Sequence, residues 1–109
     1  MSAAGDRYRK LVKRLPCCVC VLFFGMSTEP WPEPTASDAH HPRTGAGAGR
    51  KNADEECIAL CKEHHQGSTG VHGLGRKAFE RKWGVTEAEL TAMTQRRVQA
   101  MTGRVACPT

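Results

Sequence analysis

A chain of 109 residues that is 39% hydrophobic and 6% aromatic, with eleven Gly and six Pro, builds at most one small core. It needs a staple such as metal, disulfides or a partner. Its 16 Lys and Arg against 11 Asp and Glu give a formal charge of +5, which favours a polyanionic partner, nucleic acid ahead of a membrane surface. The charged opening MSAAGDRYRKLVKRL is not read as a secretory signal, and no apolar run reaches the roughly 18 residues of a membrane span, so transmembrane, secreted and large-core enzyme classes fall away.

Residues 6–15 read as a short helix with Asp6 as N-cap and Pro16 as its stop. Tyr8, Leu11 and Leu15 share one face of it, and Arg7, Arg9, Lys10, Lys13 and Arg14 cover the rest. That charge suits either a solvated basic arm or a phosphate-contacting one. Residues 16–24 read as a Cys turn followed by a short apolar strand. Pro30, Pro32 and Pro34 make residues 25–37 an exposed loop. Residues 38–42 are a strand candidate ended by Pro42, and residues 43–52 a Gly-rich turn. A second strand is expected over residues 56–60, with a helix starting at Cys61, so the order is a β-hairpin followed by a helix packed across it. Residues 76–83 place Phe79 and Trp83 at i, i+4 before a C-cap at Gly84. Thr86 and Glu89 form a capping box, and the helix behind them carries Leu90, Met93, Val98 and Met101 to about Thr102.

Six cysteines fit either disulfides or metal, and the spacing separates the two. Without a secretory signal the expected compartment is reducing, a cytoplasm, where disulfides are rare. Cys17 and Cys20 form C-x-x-C, and Cys61 and His64 form C-x-x-H. Two such pairs supply the four ligands of a tetrahedral zinc, each pair reaching the metal from one tight turn. Cys18, Cys57 and Cys107 have no comparable partner. The histidines are concentrated as His40-His41, His64-His65 and His72. Neighbours on a strand face opposite ways, and neighbours on a helix are about 100° apart, so each pair divides into two tasks. With His64 on the zinc, His65 is left facing the hairpin to meet His40, and His72 can return as a third ligand. The expectation is a closed structural zinc site beside an open, His-lined one, with His41 placed to take a proton from water.

The pattern PC-x-x-C, AHHPR-x-G, GRK-x-x-D and LC-x-x-HH resembles the HNH endonucleases with a ββα-metal motif. The likeness is to their zinc-binding subset among small phage and prophage proteins and recombination-enhancement nucleases. It covers about residues 16–84, and GVHGLGRKAFERKWG continues it. The resemblance implies an α+β fold: a small, treble-clef-like ββα-metal core stapled by zinc, with additional C-terminal helices. The corresponding division is a basic arm over 1–15, a nuclease domain over 16–84 and a C-terminal helix and tail over 85–109. It also implies roles. His40, His65 and His72 match the ligands of the catalytic metal, which would be Mg2+, Mn2+ or Zn2+. His41 matches the general base. The family's middle Asn, which orients the base, corresponds to Asn52, with Asp54 or Glu56 as alternatives. Cys17, Cys20, Cys61 and His64 match the structural zinc ligands, where the family's usual fourth ligand is Cys.

The activity implied is metal-dependent hydrolysis of DNA phosphodiester bonds, by nicking or cleavage, leaving 5′-phosphate and 3′-hydroxyl ends. Arg43, Arg50 and Lys51 beside the Gly-rich turn, and Arg76, Lys77, Arg81 and Lys82 on the later helix, are the candidate phosphate contacts. Nothing resembles a major-groove reader, so targeting falls to DNA shape or to a partner such as a host recombinase or a phage complex. The alternative is a non-catalytic, zinc-stabilised DNA-binding or recombination accessory protein, which would keep the Cys17, Cys20, Cys61 and His64 set and tolerate loss of His41.

Overall fold

The basic opening stretch becomes helix α1 (Ala3–Arg14) in the computed structural model, which describes residues 3–42 and 54–102. Asp6 is not its N-cap, because the helix already begins at Ala3; Asp6 sits inside it and pairs with Arg9. Val12 and Leu15 are fully enclosed, and Tyr8 and Leu11 are packed beside them. The carbonyls at the end of α1 are met by the proline-rich segment. The Trp31 amide donates to Arg14 (2.8 Å), the Ala36 and Ser37 amides donate to Lys13, and the Ser37 hydroxyl donates to Leu15 (2.6 Å). That segment carries no regular structure and is stitched along α1, so the carbonyl groups a helix end leaves over are satisfied.

The apolar stretch after Cys17 is helix α2 (Cys18–Phe24), not a strand. The reason lies in the cysteine spacing. Residues three apart point to opposite faces of a strand but to the same side of a helical turn, so only a helical turn brings Cys17 and Cys20 to one point. Gly25 ends the helix in the left-handed conformation, φ 70°, that side chains other than glycine's rarely adopt.

Strand β1 (Asp38–His40) pairs antiparallel with β2 (Ile58–Leu60), placing Asp38 opposite Leu60 and His40 opposite Ile58. Glu56, expected as the first residue of the second strand, instead closes a 3-10 turn over Asp54–Glu56, and the strand begins at Ile58. All of β2 is buried, with α1, α2 and α6 packed around it. Helix α3 (Lys62–Gln66) follows at once with Cys61 at its N-cap, giving the expected hairpin-then-helix order.

Two short helices, α4 (Val71–Leu74) and α5 (Arg76–Trp83), lead to α6 (Glu87–Thr102). α4 is an element the pattern did not anticipate. Its tight return depends on Gly73, where a Cβ would fall 2.0 Å from the Gly67 carbonyl oxygen. Trp83 donates its indole N–H to the Thr69 carbonyl (3.0 Å) and pins α5 to that return. The capping box forms as expected: the Glu89 amide donates to the Thr86 hydroxyl (3.1 Å) and the Thr86 amide to the Glu89 carboxylate (2.8 Å). α6 buries Leu90, Thr94 and Val98 against the sheet and α1. The opening and closing helices therefore share one core with the hairpin, centred on Phe79, Leu15, Ile58, Leu60 and Leu90. The result is a small α+β fold. Among the described residues, no helix is long and apolar enough to cross a membrane.

Candidate metal and histidine sites

The N-cap end of α2 and the N-cap end of α3 meet across the core and bring Cys17, Cys20, Cys61 and His64 together. The His64 Nδ1 atom lies 3.4 Å from Cys17 Sγ, 3.6 Å from Cys20 Sγ and 3.3 Å from Cys61 Sγ. A tetrahedral zinc with bonds of about 2.3 Å to sulfur and 2.05 Å to nitrogen separates those atoms by about 3.6 Å, so the set fits the ion. Burial pushes the Cys17 and Cys20 thiols up in pKa and the His64 ring down. A neutral imidazole is the form a metal needs. Thiols held protonated in a protein interior become thiolates only against a cation, so a dication relieves what burial costs them. Phe24 stacks on His64 at 5.9 Å between ring centres, and Trp83 meets it edge-on at 5.2 Å. Both rings pack on His64, which is itself buried. It could hold a structural metal such as zinc.

The second group is built on another face of α3. One residue after His64, the helical turn sends His65 toward β1, where His40 and His72 join it. Ring centres are 5.1 Å apart for His40 and His65, 5.2 Å for His40 and His72, and 4.8 Å for His65 and His72. A ligand nitrogen from each lies within 4.8 Å of the others. Carboxylates back the rings of His40 and His65. His40 Nε2 is 2.8 Å from Glu87 Oε2 in a pair almost wholly buried, and His65 Nδ1 is 2.9 Å from Asp38 Oδ2. Each carboxylate takes one ring nitrogen, and a carboxylate bound there is the kind of partner that orients a metal-binding imidazole. Burial raises the Asp38 carboxyl, yet the hydrogen bonds from His65 and Lys62 outweigh it and hold the group below its usual range.

His41 turns away from this trio and meets the 3-10 turn. Its Nε2 atom is 2.7 Å from Asp54 Oδ1 and 3.3 Å from Cys57 Sγ. Of the three residues weighed for the base-orienting position, Asp54 makes this contact. The Glu56 carbonyl instead accepts from Thr91, and Asn52 lies outside the described residues. The hydrogen bonds from His41 and then from Arg9 hold the Asp54 carboxyl below the usual carboxylate range. His40, His41, His72 and Arg76 all line one cleft of about 230 Å³, together with Val71, Gly75 and Glu87.

The predicted cation positions divide. Arg76 reaches the cleft and also pairs with Glu80 (3.4 Å), whereas Lys77, Arg81 and Lys82 are exposed on α5. Arg43, Arg50 and Lys51 lie outside the described residues.

Sequence reasoning missed Glu87, Asp38 and Arg9 as members of the site. Asp38 carried a usable signal, since it is two residues from His40 and shares its strand face. Glu87 carried none, because 47 residues separate it from His40. Comparison of the chain with family models, with curated proteins and with solved structures found no match.

Proposed function

We propose that this protein is a metal-dependent endonuclease of the HNH type that hydrolyses DNA phosphodiester bonds. The observation that carries the reading is a pair of carboxylate-backed histidines, His40 on Glu87 and His65 on Asp38, with a separately oriented His41 that shares a cleft with His40 and His72. A structural zinc site has no need of that second cluster. The α+β order of hairpin, then helix, is also what the motif resemblance implies, with the Cys17, Cys20, Cys61 and His64 set as its staple.

His40, His65 and His72 would hold a divalent cation. When bound, such an ion supplies positive charge for the scissile phosphate and the leaving 3′ oxygen. His41 takes a proton from the attacking water, and Asp54 keeps its imidazole in one orientation while it does so. Arg76, at the rim of the cleft, pairs with a phosphate oxygen, and the exposed Lys77, Arg81 and Lys82 extend the cationic surface along α5. Among the described residues no element is set up to read bases, and in this reading a recombinase or phage complex directs the chain to its DNA.

The test is nicking of supercoiled plasmid by the zinc-loaded chain with Mg2+, Mn2+ or added Zn2+. Nicking that falls about 10²–10⁴-fold in His41→Ala, with zinc content and melting unchanged, is the expected result. Equal nicking by that variant, or none with any of the three metals, overturns the reading. DNA binding without cutting would leave the accessory protein.

A further inference from the structure

Arg9 belongs to the basic stretch that the sequence offers as a solvated or phosphate-contacting arm. The structure gives it other work. Its Nη1 atom lies 3.0 Å from Asp54 Oδ2, while the other oxygen of that same carboxylate, Oδ1, is 2.7 Å from His41 Nε2. Asp54 is thus a bridge, with one oxygen on the guanidinium and one on the imidazole. All three side chains are mostly enclosed, exposed by 20% for Arg9, 20% for Asp54 and 17% for His41. Asp6, one turn back on α1, pairs with Arg9 as well. The cation is therefore committed to two carboxylates rather than presented to solvent.

A carboxylate held through one oxygen can still swing about its side-chain torsions, and the imidazole bonded to it swings too. A second, charge-assisted bond to the other oxygen removes that freedom. The partner must itself be rigid for this to help, and α1 is anchored by the fully buried Val12 and Leu15.

We propose that Arg9 is a positioning residue: docked on α1, it locks Asp54 and through it the His41 ring, so that the opening helix completes the site. The proposal rests on His41 acting as the base. The depressed pKa of Asp54, set first by His41 and then by Arg9, agrees with a carboxylate held from both sides.

The experiment compares Arg9→Ala, Arg9→Gln and Arg9→Lys with Arg7→Ala, an exposed neighbour on the same helix, in the zinc-loaded full-length chain. Two readouts are taken, plasmid-nicking kinetics and the 15N spectrum of the His41 ring. Wild-type His41 is expected as a single tautomer with its proton on Nε2. Arg9→Ala and Arg9→Gln are expected to mix the tautomers and lower kcat about 10–100-fold, with KM moved less than about twofold. Arg9→Lys recovers part of both, and Arg7→Ala leaves kcat and the spectrum as they were. A rise in KM at constant kcat would make Arg9 a DNA contact and overturn the proposal. So would an unmoved His41 spectrum in either neutral variant that keeps its zinc and its melting temperature. Should Arg9→Ala fail to fold, Arg9→Gln, which keeps most of the stem, carries the same comparison. If the wild type cuts nothing, the nuclease reading fails on its own, and the spectrum still decides whether Arg9 orders His41.

Discussion

His64 and His65 are adjacent on α3, yet they enter two clusters built on different plans. Around His64, three thiols stand 3.3–3.6 Å from one ring nitrogen, with aromatic rings packed outside. Around His65, three imidazoles gather with carboxylates behind two of them, and the third, His72, is exposed at the rim of a cleft. Four protein ligands leave a metal no free position, whereas three leave at least one. Were each to hold a metal, the first site would be closed and the second open, and one helical step of about 100° is enough to divide the two clusters.

The largest effect is expected at the thiol cluster. Cys17→Ser in the full-length chain should lower bound zinc by one ion per chain and abolish the cooperative melt, because structural zinc binding contributes on the order of 10 kcal/mol to folding in small domains. Elemental analysis and circular dichroism check it; a variant that melts as the wild type does would end the distinction. The histidine cluster should respond in the opposite sense. Glu87→Ala leaves the buried His40 ring without its carboxylate and should cost about 2–3 kcal/mol in chemical denaturation, with the tightly bound zinc retained. Asp38→Asn should alter stability little and weaken manganese or zinc at the histidine cluster about 10–100-fold, measured by calorimetry after the first zinc is filled. Equal loss at both sites would show that the clusters are coupled rather than separate.

The smallest effect concerns α1, which packs against both strands, the 3-10 turn and α6. Tyr8 is the only tyrosine, and burial first, then nearby Cys57 and Glu55, pushes its phenol up to about 12. The folded pKa is raised above the unfolded value of about 10. Stability from the protonated phenol is therefore complete below about pH 10 and is lost as pH rises through about 12. Ultraviolet titration should show that one midpoint move down to about 10 on denaturation. A midpoint near 10 in the folded chain would mean that α1 is undocked, and would remove the frame on which Arg9 depends.

Much of the architecture could be read in advance because it is written in local patterns. The capping box at Thr86 and Glu89, the stop at Gly84, the proline-rich segment and the short hairpin strands each depend on residues close together in the chain. The C-x-x-C and C-x-x-H pairs likewise carry their own geometry, since each needs only one turn. The apolar stretch after Cys17 misled for the same reason: a short run of that kind suits strand or helix equally, and the arbiter was where Cys20 had to point. α4 escaped notice because its glycine-rich sequence has no helical signature, and its place is set by the close approach of Gly73 to Gly67.

By itself the sequence determined which residue types were available, the two ligand pairs, the clustered histidines and the order of hairpin and helix, all through spacings of a few residues. Only the tertiary structure decided which carboxylate stands behind which histidine. Glu87 meets His40 across 47 positions and Asp54 meets His41 across 13, and Arg9 reaches Asp54 from a separate helix. Such partners are chosen by packing of the core, which sets helices at fixed distances whatever their separation in the chain. A periodic pattern reports which face of an element is buried, but not whose side chain waits on the other side of the interface.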